Sequence, residues 1–241
     1  MKTLQYFCIM IVCCVVFCSC KTTYILRSTF ESDAINALPN KTLPGDPSGD
    51  ALEYSSQLEP RLKVVSLAGK KSLQFSQSTA PGLTAFNQWI TFRGVSTDFT
   101  QTVWYYYTAT QKSATGGYVL VEVADGSAGI IARLTINANG EVSLLRNLTT
   151  QEQEVIGTIP EGVSHTVIFT VNMAASKYNV TILKSAGETI TATDRTVVLG
   201  KGVAYANPAR PTLNFRYENG ETNARQYSID EVTISREKPK M

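Results

Sequence analysis

The sequence predicts an all-β protein, a two-sheet antiparallel β-sandwich of the jelly-roll kind. Three observations carry this. Apolar residues recur at every second position over many short runs, the period at which a strand turns its side chains to one face. Gly, Pro, Asn and Asp punctuate those runs at short, even intervals, as in sandwiches and barrels. No stretch keeps the helical apolar period of about 3.6 residues long enough to form an amphipathic helix.

Tyr24–Phe30 is the first predicted strand. Glu31–Asp50 is a loop, broken by Pro39, Pro44, Gly45, Pro47 and Gly49. Arg61–Leu67 and Ser72–Phe75 read as strands around a turn at Gly69-Lys70-Lys71, and Ser78–Leu83 as a turn region. Gln88–Arg93 is a strand with Ile90 and Phe92 on one face and Trp89, Thr91 and Arg93 on the other. Thr100–Thr110 is β-rich around Val103-Trp104-Tyr105-Tyr106-Tyr107. Gly116-Gly117 closes a hairpin onto Tyr118–Ala124, and Asp125-Gly126 signals the next turn. Ile130–Asn137 and Glu141–Leu145 are joined through Ala138-Asn139-Gly140, an Asn-Gly hairpin signal. Arg146–Gly157 reads as a polar loop with a short strand at Val155-Ile156.

Val163–Ile190 is the clearest stretch. Val167, Phe169 and Val171 alternate with Thr166, Thr170 and Asn172; after Met173–Ser176 the alternation resumes at Tyr178, Val180 and Ile182. This is a hairpin with one apolar face, and it needs a sheet around it and a second beneath. A turn follows at Ser185-Ala186-Gly187. Thr196–Leu199, Leu213–Glu218 and Tyr227–Ser235 complete the strands, with Asn219-Gly220 in the last loop.

The chain has 241 residues, 43% of them hydrophobic and 17% charged, which is globular composition. Net charge is +2, and removing the leader with Lys2 leaves +1. That gives no long-range attraction to nucleic acid. The five cysteines are Cys8, Cys13, Cys14, Cys18 and Cys20. The body has none, which excludes a disulfide framework and a thiolate metal site there. A chain of this length buries enough apolar surface to fold without staples.

The first 19 residues have the form of a secretory signal: one positive charge, an apolar run over Leu4–Phe17, and a small residue at Ser19. Phe17-Cys18-Ser19-Cys20 resembles a bacterial lipobox, although Phe17 and Cys18 stand where Leu and Ala-like residues are usual. That resemblance implies acyl chains on Cys20. It also implies a protein tethered to the membrane in the bacterial cell envelope, at the outer membrane. The alternative is an ordinary cleaved signal with incidental cysteines. The expected organisation is a leader over residues 1–19, one β-sandwich over 20–235 and a polar tail over 236–241.

The whole order resembles the concanavalin A-like lectin/glucanase superfamily, including its laminin-G-like modules. The residues that carry the likeness are the early strand ending in Phe30-Glu31, the late hairpin VIFTVNMAASKYNVTI, and the closing Tyr227-Ser228-Ile229-Asp230-Glu231-Val232-Thr233-Ile234. It implies two curved sheets, adjacent first and last strands, and a sheet face that commonly binds carbohydrate.

Glucanases of that superfamily carry Glu-x-Asp-x-x-Glu, which puts carboxylates on one strand face for retaining hydrolysis. The nearest match here, Glu31-Ser32-Asp33, has Asn36 in the last place and reads as loop polarity. Glu152 and Glu154 read as exposed loop. Gly69-Lys70-Lys71-Ser72 lacks the first glycine of a phosphate loop, since Val64 stands there. His165, the only histidine, shares parity with Val163, Val167 and Phe169 and reads as a core-edge residue. No catalytic residue, cofactor or metal site is assigned.

The candidate ligand-binding residues are Trp89, Trp104, Tyr106, Glu122, Arg133 and Arg216. Glu122 lies opposite Val121 and Val123, Arg133 opposite Ala132 and Leu134, and Arg216 opposite Leu213 and Phe215 by near-parity. Aromatic rings stack on the apolar face of a pyranose, and charged forks bind its hydroxyls. Two arrangements satisfy the pattern: a sugar platform on one sheet face, or aromatics in the core with the charges solvating the outside. Asp230 likewise has two readings. It caps backbone or, as the resemblance implies, joins Glu31 at a calcium ion between first and last strands. The expected function is a non-catalytic glycan-binding module on an anchored lipoprotein. The rivals are a glycoside hydrolase or polysaccharide lyase, and a structural or adhesion protein of the envelope.

Overall fold

The computed structural model describes residues 24–42, 51–76, 89–112, 118–127, 129–199, 204–218 and 226–239. The leader, Cys20, the turns predicted at Ser78–Leu83 and Gly116-Gly117, and Asn219-Gly220 lie outside them. In chain order the strands begin with β1 (Tyr24–Ser28), β2 (Leu52–Tyr54), β3 (Leu62–Leu67), β4 (Lys70–Ser76) and β5 (Trp89–Arg93). Then come β6 (Val103–Lys112), β7 (Tyr118–Ala124), β8 (Ile130–Asn137), β9 (Glu141–Asn147) and β10 (Glu152–Thr158). The last are β11 (Ser164–Asn172), β12 (Lys177–Lys184), β13 (Thr189–Thr196), β14 (Thr212–Glu218) and β15 (Gln226–Ser235). The only helical turn among the described residues is a 3-10 turn at Glu59–Arg61.

Two antiparallel sheets face each other. The eight-stranded sheet runs β13-β12-β11-β6-β15-β4-β3, with β1 also paired to β15; the seven-stranded sheet runs β10-β9-β8-β7-β14-β5-β2. The first and last strands are adjacent, with Tyr24 opposite Ser235 and Ser28 opposite Val232. The late hairpin forms as its alternation predicts, with Asn172 opposite Lys177 and His165 opposite Lys184. The β8–β9 turn needs its glycine: Gly140 has φ +82°, and a Cβ there would lie 2.1 Å from the Ile159 carbonyl oxygen.

The core is the alternate residues of both sheets. Val103, Tyr105, Tyr107 and Ala109 of β6 are buried, as are Leu213 and Phe215 of β14. The Tyr107 and Phe215 rings meet across the sheets at 5.0 Å with planes 87° apart, the edge-to-face geometry that aromatic quadrupoles favour. Phe92 adds to Phe215 at 5.8 Å, and Phe75 to Tyr227 at 5.8 Å. Each such side chain, once fully buried, contributes roughly 1.5–3 kcal/mol of transfer free energy.

Three strand assignments differ from the sequence reading. β10 is a full strand where a polar loop was expected, so Glu152 and Glu154 sit on a strand. β13 ends where the predicted strand Thr196–Leu199 begins. β2 was not foreseen. All three lie at a sheet edge. Edge strands are paired on one side only, and β10 and β13 are mostly solvent-facing, so neither carries the apolar alternation that marks a buried strand.

Asp230 also differs. Tyr227, Ile229, Val232 and Ile234 are all fully buried, and a bulge between Ile229 and Glu231 reverses the parity of β15. Asp230 is the extra residue, half-buried, and accepts a 2.6 Å hydrogen bond from the Ser72 hydroxyl. Burial raises its carboxyl above the ordinary value, with the Ser72 bond and Lys70 opposing. Glu31 turns elsewhere: its Oε1 accepts from the Lys71 backbone N–H at 3.2 Å.

Candidate functional site

Polar residues face outward from the seven-stranded sheet in register. Glu53, Thr91, Asn214, Glu122 and Arg133 form one row across β2, β5, β14, β7 and β8. Four inter-strand gaps make the row roughly 19 Å long. One pleat away, Trp89 is the register partner of Arg216, which lies opposite Leu120. Trp89 is held by its backbone: its N–H donates to the Ser55 hydroxyl, and its carbonyl accepts from the Ser55 N–H at 3.1 Å.

Trp89, Thr91, Arg93, Glu122, Asn214 and Arg216, with Glu53, line a recess of about 420 Å3. Its floor is tied by charge-assisted bonds. Glu122 Oε1 accepts from Arg133 Nε at 2.7 Å and from an Arg216 terminal nitrogen at 3.0 Å. Arg133 also donates to the Gln151 side-chain oxygen at 3.1 Å. At the near end Arg93 pairs with Glu53 at 3.0 Å, and the Thr91 hydroxyl donates to Asn214 Oδ1 at 2.7 Å.

The far wall is the β7–β8 turn. Asp125 Oδ1 accepts from the Ser127 N–H, the Ser127 hydroxyl and the Gly129 N–H, while Oδ2 accepts from the Ala206 N–H at 3.0 Å. Burial pushes the Asp125 carboxyl up, but these bonds to its charged form outweigh that and hold it below the ordinary value. The carboxylate thereby pins the turn to the segment before β14. Gly126 permits the approach, since a Cβ there would lie 2.3 Å from the Arg210 carbonyl oxygen.

Four candidate residues, Trp89, Glu122, Arg133 and Arg216, come together on this face. Trp104 and Tyr106 do not join them: they lie on the outer face of the eight-stranded sheet, where the Tyr106 and Thr108 hydroxyls are 3.0 Å apart. A platform of all six on one sheet is therefore corrected to two separate faces. Nor do these two rings fill the core, because Val103, Tyr105 and Tyr107 take the inward positions of β6. Sequence reasoning missed Arg93, Thr91, Asn214 and Glu53 as parts of the site. The first three had a usable signal, the shared parity of Trp89, Thr91 and Arg93 and of Asn214 and Arg216. Glu53 had none, on a strand of three residues.

His165 is buried between the sheets rather than at the recess. Its Nδ1 faces the Val163 carbonyl oxygen at 3.1 Å, so Nδ1 carries the proton, and Nε2 accepts from the Tyr227 hydroxyl at 2.9 Å. Among the described residues no group of three or more His, Cys, Asp or Glu is placed to hold a metal ion.

The arrangement is a two-sheet antiparallel β-sandwich. Solved structures show the same fold. The binding domain of botulinum neurotoxin DC, solved in complex with SialylT, matches with a TM-score of 0.55 and 10% identity over 92% of this chain and 50% of its own. Peanut lectin matches with a TM-score of 0.50 and 10% identity over 81% of this chain and 94% of its own. A sialidase matches with a TM-score of 0.50 and 12% identity over 83% of this chain but only 18% of its own length. No family model matches the chain, and no curated protein matches it by sequence.

Proposed function

We propose that this protein is an envelope lipoprotein, acylated at Cys20, whose sandwich binds glycan without chemically altering it. The observation that carries the reading is the recess on the seven-stranded sheet, where the Trp89 indole stands beside Arg216 and the Thr91–Asn214 pair. A ring for stacking next to a guanidinium and side-chain amides is what a pyranose needs. The lectin and the toxin binding domain among the fold's neighbours support the same class of role. The recess is open and shallow, so a bound sugar stays partly solvated, and affinity falls on the order of 10–1,000 μM.

Both carboxylates of the recess are engaged by guanidiniums, and the only histidine is buried in the core. Neither stands ready as the second member of a hydrolytic acid–base pair. The anchor follows from Cys20 behind an apolar leader, in a body otherwise free of cysteine. It places the protein in the bacterial cell envelope, at the outer membrane.

A polysaccharide array followed by titration tests the binding. Trp89→Ala should weaken a hit about tenfold, close to 1.4 kcal/mol, while Trp104→Ala leaves it unchanged. Equal binding by Trp89→Ala removes the recess as the site. Accumulating reducing ends or unsaturated sugars, stopped by Glu122→Gln, would replace binding with catalysis. Cys20→Ala should move the protein from the membrane to the soluble fraction; retention on the membrane rejects the anchor.

A further inference from the structure

Trp104 and Tyr106 stand on the outer face of the eight-stranded sheet, apart from the recess. Strand register sets out what surrounds them. One row runs Tyr24, Ser235, Trp104, Thr170 and Asn179 across β1, β15, β6, β11 and β12. The next outward row runs Arg27, Thr233, Tyr106, Ile168 and Thr181 across the same strands. Arg27 is the only charged residue in the two rows, and Glu231 meets its charge at 3.3 Å. The Arg27 guanidinium also lies 5.3 Å from the centre of the Tyr24 ring. Tyr24 is 44% exposed, and Trp104 and Tyr106 are half-buried. The outward face of the other sheet is of a different kind, with Glu53, Arg93, Glu122, Arg133 and Arg216 on it. Charged residues normally collect on solvent-facing positions, so a face of aromatics and hydroxyls with one paired charge is one suited to cover.

We infer that this face is where the protein lies on the membrane, with Tyr24, Trp104 and Tyr106 at the level of the lipid headgroups. This rests on the anchor proposed above and gives the anchored domain an orientation. Chain length supplies the occupant. Cys20 precedes Tyr24 by four residues, and four residues span at most about 14 Å. Trp104 lies two strand spacings from Tyr24, roughly 10 Å. An acyl chain on Cys20 therefore brings both rings close to the bilayer surface. Trp and Tyr suit that depth, because the ring meets the ends of the acyl chains while its N–H or O–H stays with headgroups and water. The hydroxyls of Thr170 and Thr181 flank the rings and bond to headgroup oxygens. The acyl chain fixes where the domain is held, and the aromatic contacts fix how it is turned. The recess is on the opposite sheet, so this pose leaves it facing away from the membrane.

The chain has two tryptophans, one on each sheet, so each reports on its own face. The test places the full-length protein, purified from bacterial membranes, on vesicles of phosphatidylethanolamine and phosphatidylglycerol that carry brominated acyl chains. Trp89→Phe leaves Trp104 as the reporter, and Trp104→Phe leaves Trp89. Bromine should quench Trp104 at least about threefold more than Trp89. Iodide in the water should reach Trp89 on vesicles as readily as it does in Cys20→Ala protein free in solution. Should either variant not fold, hydroxyl-radical footprinting of the unaltered protein makes the same comparison, with oxidation of Trp104 and Tyr106 falling on vesicles and that of Trp89 unchanged. Retention on vesicles with both tryptophans equally open to iodide overturns the inference and leaves the anchor standing. Shielding of Trp89 in place of Trp104 overturns it as well, because the other sheet then faces the lipid. Shielding of Trp104 without vesicles, rising with the concentration of Cys20→Ala protein, also overturns it, because a second copy then covers the face. Failure of the full-length protein to stay on vesicles removes the anchor reading and this orientation with it.

Discussion

Stability should fall with acid because His165 is buried as a neutral base. Burial lowers its pKa from 6.5 to about 4. Between those values the unfolded chain binds the proton and the folded chain does not, so stability rises with pH across that window and is complete above it. Linkage over the printed shift gives about 2 kcal/mol lost between pH 7.5 and pH 5, and about 3 kcal/mol by pH 3. The Tyr107 phenol, whose ring packs against the imidazole, is pushed well up by burial and stays neutral throughout. Urea unfolding at pH 7.5 and pH 5 measures the loss. Carboxylates also titrate in this range, so the decisive quantity is the difference from His165→Gln, which keeps polar contacts but cannot protonate. The variant should be less stable at pH 7.5 and show a pH increment smaller by about 2 kcal/mol. Equal increments in the two proteins would refute a neutral, buried His165.

Two further substitutions probe the frame that holds the site. Gly140→Ala should cost about 2–4 kcal/mol, because it combines a positive φ with a Cβ 2.1 Å from a carbonyl oxygen; an unchanged thermal midpoint would show that the β8–β9 turn relaxes freely. Glu122→Gln should cost about 3 kcal/mol in denaturant unfolding, since it leaves two guanidiniums together without their carboxylate; an unchanged midpoint would mean that solvent already screens them.

The sequence alone determined the class of fold, the late hairpin, the neighbouring first and last strands through the resemblance, the parity that Trp89 shares with Thr91 and Arg93, and the parity of Glu122, Arg133 and Arg216 opposite apolar neighbours. These are local properties. Side-chain direction in a strand alternates along the chain, and a buried face must be apolar, so a few residues suffice to read it. Only the tertiary structure decided which strands share a sheet. The alternation around Trp104 left both faces of β6 open; the structure turns Val103, Tyr105 and Tyr107 inward and places β6 in one sheet and β5 in the other. It also decided that Arg216 shares a carboxylate with Arg133, a contact between residues 94 positions apart for Arg216 and Glu122. The bulge that turns Asp230 out of line, and the edge strands that carry little apolar alternation, were settled there too. Pairing between distant strands is chosen by how all the faces close over one core, and no single stretch of the chain contains that information.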